Sequence, residues 1–129
     1  MAYWPGSPSW PLWAWGLLAQ HPHWQDRLRA EVLGLGLSAD EPSSFDDLEK
    51  MPLSDMAFKE ALRLRPPVPS MPRRAVRDFM LGGAQIRAGQ TLLYIYSSAC
   101  RDEAEFPRAD SFDIFRTHHR DLIYGAGGH

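Results

Sequence analysis

The sequence predicts a mainly helical fold with a small antiparallel β-sheet. Apolar residues follow helical patterns up to residue 65, and short apolar runs separated by glycine turns follow between residues 74 and 95. The 129 residues, 44% of them hydrophobic and 23% charged, have the composition of a globular chain. This length suits one domain, or a piece of a larger one, and the composition excludes collagen, coiled coil and wholesale disorder.

Charge and cysteine content exclude several classes of function. The 14 basic residues are scattered among 16 acidic ones, for a net charge of -2, which disfavours a nucleic-acid partner. The single cysteine, Cys100, excludes an internal disulfide framework and any multi-cysteine metal site within this chain. The apolar run from Trp10 to Ala19 is shorter than the about 20 residues that span a bilayer. We therefore expect a cytoplasmic protein with no membrane partner.

Prolines delimit the first two predicted helices. Residues 1–11 contain three prolines and a glycine, and are expected to form an irregular leader. The continuously apolar run from Leu12 to His21 predicts the first helix, which Pro22 ends. Pro22 also suits the first turn of a second, amphipathic helix that runs to about Leu35.

Two further helices follow a polar loop. Ser44, ahead of Asp46 and Asp47, forms a capping signature for a helix of one to two turns. Another amphipathic helix begins at Pro52 and ends at Arg65, where a Pro-Pro pair follows.

Beyond residue 70 the pattern changes from helical to extended. Turns are predicted at Gly82-Gly83 and Ala88-Gly89, and residues 101–129 are expected to be mostly loop. The predicted strands, which would form a small hairpin sheet, are Arg74–Phe79, Gln85–Arg87 and Gln90–Ile95.

Glu60 is a carboxylate on the apolar face of the helix that begins at Pro52. A buried carboxylate is costly unless it is paired, and Arg63, at i+3, lies near enough to pair with it. The alternative is an ordinary exposed Glu-x-x-Arg pair, which is frequent on helices. Glu60 shares its face with four apolar residues, Leu53, Met56, Ala57 and Leu64.

The segment around Glu60 resembles a known family signature. Residues 59–68, Lys-Glu-Ala-Leu-Arg-Leu-Arg-Pro-Pro-Val, resemble the K helix of the cytochrome P-450 family and the prolines that follow it. Other segments are similar, in order, to the end of the I helix (15–22), the J helix (25–32), the sheet of bacterial members (72–102), the meander (106–116) and the start of the haem loop (124–129). The resemblance implies that residues 12–129 are a partial P-450 domain, ending just before the haem-ligating cysteine.

The resemblance implies a structural role for three residues. Glu60 and Arg63 would form a buried network with an arginine of the meander, which Arg116 would supply. Ser111 stands where many members have an arginine, so the identity of the third member stays open. The resemblance implies that members of this network would support the haem and carry out no chemistry.

The resemblance also implies contacts to haem b. Arg73 and His129 would contact the haem propionates. For Arg73 this suits the guanidinium, which can form two parallel hydrogen bonds to a carboxylate. The alternative for Arg73 is one more exposed arginine in a basic stretch. Tyr124, Gly125 and Gly127 would supply the backbone of the haem loop, where glycines let the chain pass close to the porphyrin.

Residues that the family uses in catalysis are expected to be missing from this chain. The sequence stops at His129, so the axial cysteine is absent, and the oxygen-activating residues of the I helix would precede Leu12. Cys100 is expected to be a buried or half-buried thiol and no substitute for the axial ligand. We therefore expect no catalytic and no metal-binding residue here, and an inactive chain on its own.

For the complete protein the resemblance implies monooxygenation with haem. The expected partners are a ferredoxin or similar electron donor and a small apolar substrate, near residues 68–71. The alternative is a non-catalytic helical interaction domain or a remnant without haem.

Two other sites are disfavoured. A metal site formed by His118 and His119 with either Asp121 or His129 is disfavoured because adjacent histidines rarely face one ion. The glycines of residues 125–128 lack the helix that a phosphate site requires.

Overall fold

The computed structural model describes residues 9–36 and 44–117. The predicted class, mainly helical with small antiparallel sheets, is confirmed. The helices are α1 (Ser9–Ala19), α2 (Pro22–Gly34), α3 (Phe45–Leu48), α4 (Pro52–Leu64) and α5 (Tyr96–Ala99). The strands are β1 (Ser70–Arg74), β2 (Phe79–Leu81), β3 (Ala84–Ile86) and β4 (Thr91–Ile95).

Helix α1 begins earlier than expected. It starts at Ser9 and ends at Ala19, so the prediction of an irregular leader over residues 1–11 is wrong for residues 9–11. Pro11 lies in the first turn, where helical N–H groups have no acceptor within the helix, so its missing N–H costs no hydrogen bond. Residues 1–8 lie outside the described part of the chain.

The other predicted helices are confirmed. Helices α2 and α4 both carry proline at their first position. The signature before α3 forms a capping box, in which the N–H and hydroxyl of Ser44 both donate to Asp47 Oδ2, at 2.9 and 2.7 Å.

Helices α2 and α4 are joined by apolar contacts and by one carboxylate. Glu31 of α2 accepts the N–H groups of Leu53 and Ser54 at 2.8 and 2.9 Å, and the Ser54 hydroxyl at 2.8 Å. These N–H groups belong to the first turn of α4, where no helical acceptor exists, so Glu31 caps that helix. The buried core comprises Trp24, Ala57, Ala61, Leu64, Phe112 and Ile114.

The strands form two separate sheets rather than the single hairpin sheet predicted. Strand β1 pairs with β4, and β2 pairs with β3, each pair antiparallel. The predicted strand Arg74–Phe79 is wrong, because residues 75–78 are not extended strand and include a bend at residues 76–77. Ala75 is buried there, and its N–H donates to the Gln90 carbonyl at 2.9 Å while its own carbonyl accepts the Gly89 N–H at 2.8 Å. These long-range bonds divide the predicted strand into two.

The chain beyond β4 contains the unpredicted short helix α5 and then turns. Residues 101–117 have no further helix or strand, as expected, and residues 118–129 lie outside the described residues. None of the helices in the described ranges is both long and apolar enough to cross a membrane.

Candidate functional site

The centre of the site is an ion pair inside α4. Glu60 and Arg63 are 0% and 1% exposed. The Arg63 guanidinium donates through Nε to Glu60 Oε2 and through Nη2 to Oε1, both at 2.8 Å. This forked arrangement matches the two donors of arginine to the two oxygens of a carboxylate, and it is among the stronger ion-pair geometries.

Arg116 joins the pair from the other side. Its Nε donates to Glu60 Oε1 at 3.1 Å, and the Asp113 N–H donates to the same oxygen at 3.1 Å. The structure therefore brings Glu60, Arg63 and Arg116 together, as the resemblance implies. Residues of α4 and of the 113–116 stretch are linked through one carboxylate.

The rest of the Arg63 guanidinium is held by main-chain oxygens. Nη1 donates to the Cys100 carbonyl at 2.7 Å, and Nη2 also reaches the Ser111 carbonyl at 3.3 Å. The guanidinium lies 5.4 Å from the centre of the Phe106 ring, within range of a cation–π contact. Residue 111 thus contributes to the network through its main-chain carbonyl. A serine at this position therefore keeps the hydrogen bond from Arg63.

Arg116 is held in the same way. Its Nη1 donates to the Pro107 carbonyl at 2.6 Å, and its Nη2 donates to the carbonyls of Arg108 and Ser111 at 3.0 and 3.4 Å. One carboxylate faces two guanidinium groups, so the carbonyl oxygens compensate the excess positive charge. The network holds residues 100–116 against α4. The Glu60 carboxylate at its centre is fully used by its hydrogen bonds to these residues.

Arg73 lies on β1, opposite Leu92 of β4. Its side chain is exposed and makes no ion pair with any carboxylate of residues 9–36 and 44–117. An exposed, forked donor suits the carboxylate of a haem propionate. The donor chemistry of Arg73 therefore fits haem.

The remaining predicted contacts fall beyond residue 117. His129, Tyr124, Gly125 and Gly127 lie outside the described residues, as do the histidines of the alternative metal site. Among the residues that the structure describes, no three His, Cys, Asp or Glu side chains form a group able to hold a metal ion. Cys100 is buried, at 1% exposed.

The sequence pattern assigns no role to Arg101. Its Nη2 donates to the Leu64 carbonyl at 3.1 Å, and its Nη1 pairs with the Asp110 carboxylate. The available signal was the Pro-Pro pair after α4: Pro66 and Pro67 cannot donate to the carbonyls three and four residues before them, which leaves room for a donor from elsewhere. Asp113 was missed because it contributes through its main-chain N–H, which residue type does not reveal.

Comparison with known families and structures is consistent with this geometry. The family model described as Cytochrome P450 matches residues 11–120. Cytochrome P450 714C2 of Oryza sativa subsp. japonica is 38% identical over 102 residues, which are 78% of this chain and 19% of that protein. Cytochrome P450 4F3 of Homo sapiens is 38% identical over 111 residues, 84% of this chain and 21% of that protein. The chain therefore spans about a fifth of the length of these relatives.

A solved structure matches closely in shape. A zebra fish cytochrome P450 structure with abiraterone superposes with a TM-score of 0.83 at 29% identity, covering 95% of this chain and 30% of that one. The similar proteins include plant and animal members, so they support the family as a whole rather than its bacterial type. With its α4 ion pair, its meander contacts and these matches, the chain belongs to the cytochrome P450 family.

Proposed function

We propose that this chain is part of a haem-thiolate monooxygenase and supplies the scaffold beneath its haem loop. The observation that carries the proposal is the buried network in which Glu60 accepts from both Arg63 and Arg116. A network of this kind restrains a segment without secondary structure, residues 100–116, against a helix. The haem loop of the family follows that segment, and the network would fix its starting point.

The proposed haem contacts of this chain are Arg73 and His129. Arg73 presents an exposed guanidinium on β1, and its charge and fork suit a propionate. When bound, haem supplies the oxygen chemistry, and the residues of this chain hold and orient it. The axial cysteine would come from the chain that follows His129 in the complete protein, so residues 1–129 alone would have no activity.

The proposed substrate is a small apolar molecule beside residues 68–71, and the proposed electron donor is a ferredoxin or similar protein. Among the structures similar to this chain, one is described with progesterone, one with retinoic acid and one with hexadec-9Z-enoic acid ligated acyl carrier protein. Val68 is exposed, four residues beyond the end of α4, which supports contact with a ligand from outside the described chain. The single cysteine supports a cytoplasmic location.

The first experiment is sequencing of the locus that encodes the chain. If the proposal is right, the frame continues after His129 with one variable residue, then Cys, a second variable residue and Gly. That interval would let His129 hold a propionate while the cysteine holds iron. An unrelated sequence or a stop codon at this point would instead support the alternative, a remnant or interaction domain without haem.

The second experiment measures haem in the complete protein. Purified protein should show the thiolate-type carbon monoxide difference band, whereas residues 1–129 alone should not. Arg73→Gln should weaken haem retention by about tenfold, because it removes a charge-assisted hydrogen bond. The control is Arg77→Gln, another exposed arginine nearby. Equal haem retention in the two variants would overturn the role of Arg73.

A further inference from the structure

The segment that leaves α4 has few main-chain hydrogen-bond donors of its own. Residues 65–69 contain three prolines, so only Arg65 and Val68 carry an N–H. The Arg65 N–H still donates to the Ala61 carbonyl at 2.8 Å, and the chain then leaves the helix at φ -136°, ψ 69°. Pro66 and Pro67 therefore offer no N–H to the carbonyls of residues 62–64, which stand three or four residues before them.

Residues 97–101 provide donors at both ends of this segment. The Arg101 Nη2 donates to the Leu64 carbonyl at 3.1 Å, where the segment begins. The Ser97 N–H donates to the Pro69 carbonyl at 3.1 Å, where the segment ends. We call these two contacts the bracket, because one lies just before residues 65–69 and the other at their end.

The bracket is itself attached to the rest of the structure. Strand β4 pairs with β1 and runs directly into α5, so Ser97 is held two residues beyond the sheet. Arg101 is held by its ion pair with Asp110, and its neighbour Cys100 accepts from Arg63. The Arg101 side chain is 34% exposed, so its substitution changes a half-exposed position rather than the apolar core.

From this arrangement we propose that Arg101 is a positioning residue for the substrate pocket: it sets the course of residues 65–69 by binding the end of α4. The inference rests on the proposed function, which puts residues 68–71 beside the substrate. Arg101 acts through the Leu64 carbonyl and makes no contact with substrate. Its loss would move Val68 while leaving α2 and its packing unchanged.

The first test measures hydrogen exchange in the 129-residue chain and needs no haem. Arg101→Gln should raise amide exchange in residues 65–71 by about tenfold, because one charge-assisted hydrogen bond is lost. Arg101→Lys, which keeps one charged donor, should restore part of the protection. Asp110→Asn, at a site 84% exposed, should give a smaller rise in the same residues and serves if Arg101→Gln fails to fold.

The matched control for this test is Arg29→Gln. Arg29 forms an exposed ion pair with Asp26 on α2, at 3.0 Å, and lies away from the bracket. It should leave exchange in residues 65–71 unchanged. Unchanged exchange in Arg101→Gln, or an equal rise across α2 and the sheets, would overturn the proposal.

The second test uses the complete haem-loaded protein and two probes that bind iron through the same azole nitrogen. Imidazole alone tests access to iron, whereas 1-octylimidazole adds an apolar tail that contacts the pocket. Arg101→Gln should change the ratio of the two dissociation constants by about threefold or more, and Arg29→Gln should not. An unchanged ratio would contradict a positioning role. Failure to bind haem at all would refute the proposed function, while the exchange result would still stand.

Discussion

The helical region and the strand region of this chain are held in different ways. Helices α2 and α4 and residues 106–116 share an apolar core and a buried ion-pair network. Between residues 70 and 95, by contrast, only Ala75 is buried. The exposed large apolar side chains there are Val76, Phe79, Met80, Leu81, Leu93, Tyr94 and Ile95.

This difference shows which part of the chain carries its own stability. The strand region takes its shape from main-chain hydrogen bonds and glycine turns, and two-stranded sheets with exposed faces are marginally stable by themselves. The helical region has both apolar burial and satisfied charges. Substitutions in the helical region should therefore cost more than equivalent ones in the strands.

The largest expected effect comes from Glu60. Glu60→Ala should lower the free energy of unfolding by about 3 kcal/mol or more relative to Glu49→Ala, since it leaves two guanidinium groups without their carboxylate. Glu49 is exposed and follows α3 directly. Urea denaturation of both variants measures the difference. Equal midpoints and slopes would mean that the network adds nothing to stability.

A pair of isoleucines compares the two regions directly. Ile114 is 0% exposed in the core, whereas Ile95 is 51% exposed on β4. Ile114→Ala should cost about 2–4 kcal/mol, because it removes buried methyl groups and leaves a cavity. Ile95→Ala should cost about 0.5 kcal/mol, the range of a surface substitution. Thermal melts of the two variants check this order, and a larger loss from Ile95→Ala would reverse our comparison.

Glu31 provides a smaller effect within the helical region. Glu31→Ala should cost about 1–2 kcal/mol, because the first N–H groups of α4 lose their acceptor. Asp26→Ala, an exposed change on the same helix, is the control. Chemical denaturation distinguishes them, and hydrogen exchange should show faster opening at the start of α4. Identical stability of the two variants would show that the cap is dispensable.

The smallest effect is expected at the capping box of α3, on the surface. Hydrogen bonds from Lys50 and from the Ser44 hydroxyl lower the pKa of Asp47 from 3.8 to about 2. Because the folded pKa is lowered, the capping contribution is fully present above pH 3.8 and is lost as the pH falls toward 2. Chemical shifts of the Ser44 and Phe45 amides should report a midpoint near 2. Asp47→Asn should abolish this titration, and a midpoint at the ordinary value would refute the cap.

The helices were predicted well from sequence because their signals are local. Pro22 and Pro52 mark helix starts by their fixed φ and missing N–H, and the Ser44 capping box needs only neighbouring residues. The start of α1 was misjudged because Pro11 is compatible with a first helical turn as well as with an irregular leader. Local composition does not distinguish these two cases.

The strands and part of the site depend on long-range contacts instead. Ala75 divides the predicted strand through bonds to Gly89 and Gln90, and nothing in its own residue type indicates them. Helical spacing indicated Glu60 and Arg63, and the family resemblance added Arg116. The contributions of Arg101 and of the main-chain groups required the folded arrangement, since any residue can supply a carbonyl or an N–H.

A double-mutant cycle between Glu60 and Arg116 tests the central claim most directly. The claim is that one buried carboxylate joins α4 to the meander, and the Glu60 Oε1 to Arg116 Nε bond, 3.1 Å long, is that link. The free energies of unfolding of Glu60→Gln, Arg116→Gln and the double variant should give a coupling of about 1 kcal/mol or more. Additivity within about 0.3 kcal/mol would show that the two residues act independently and would contradict the account.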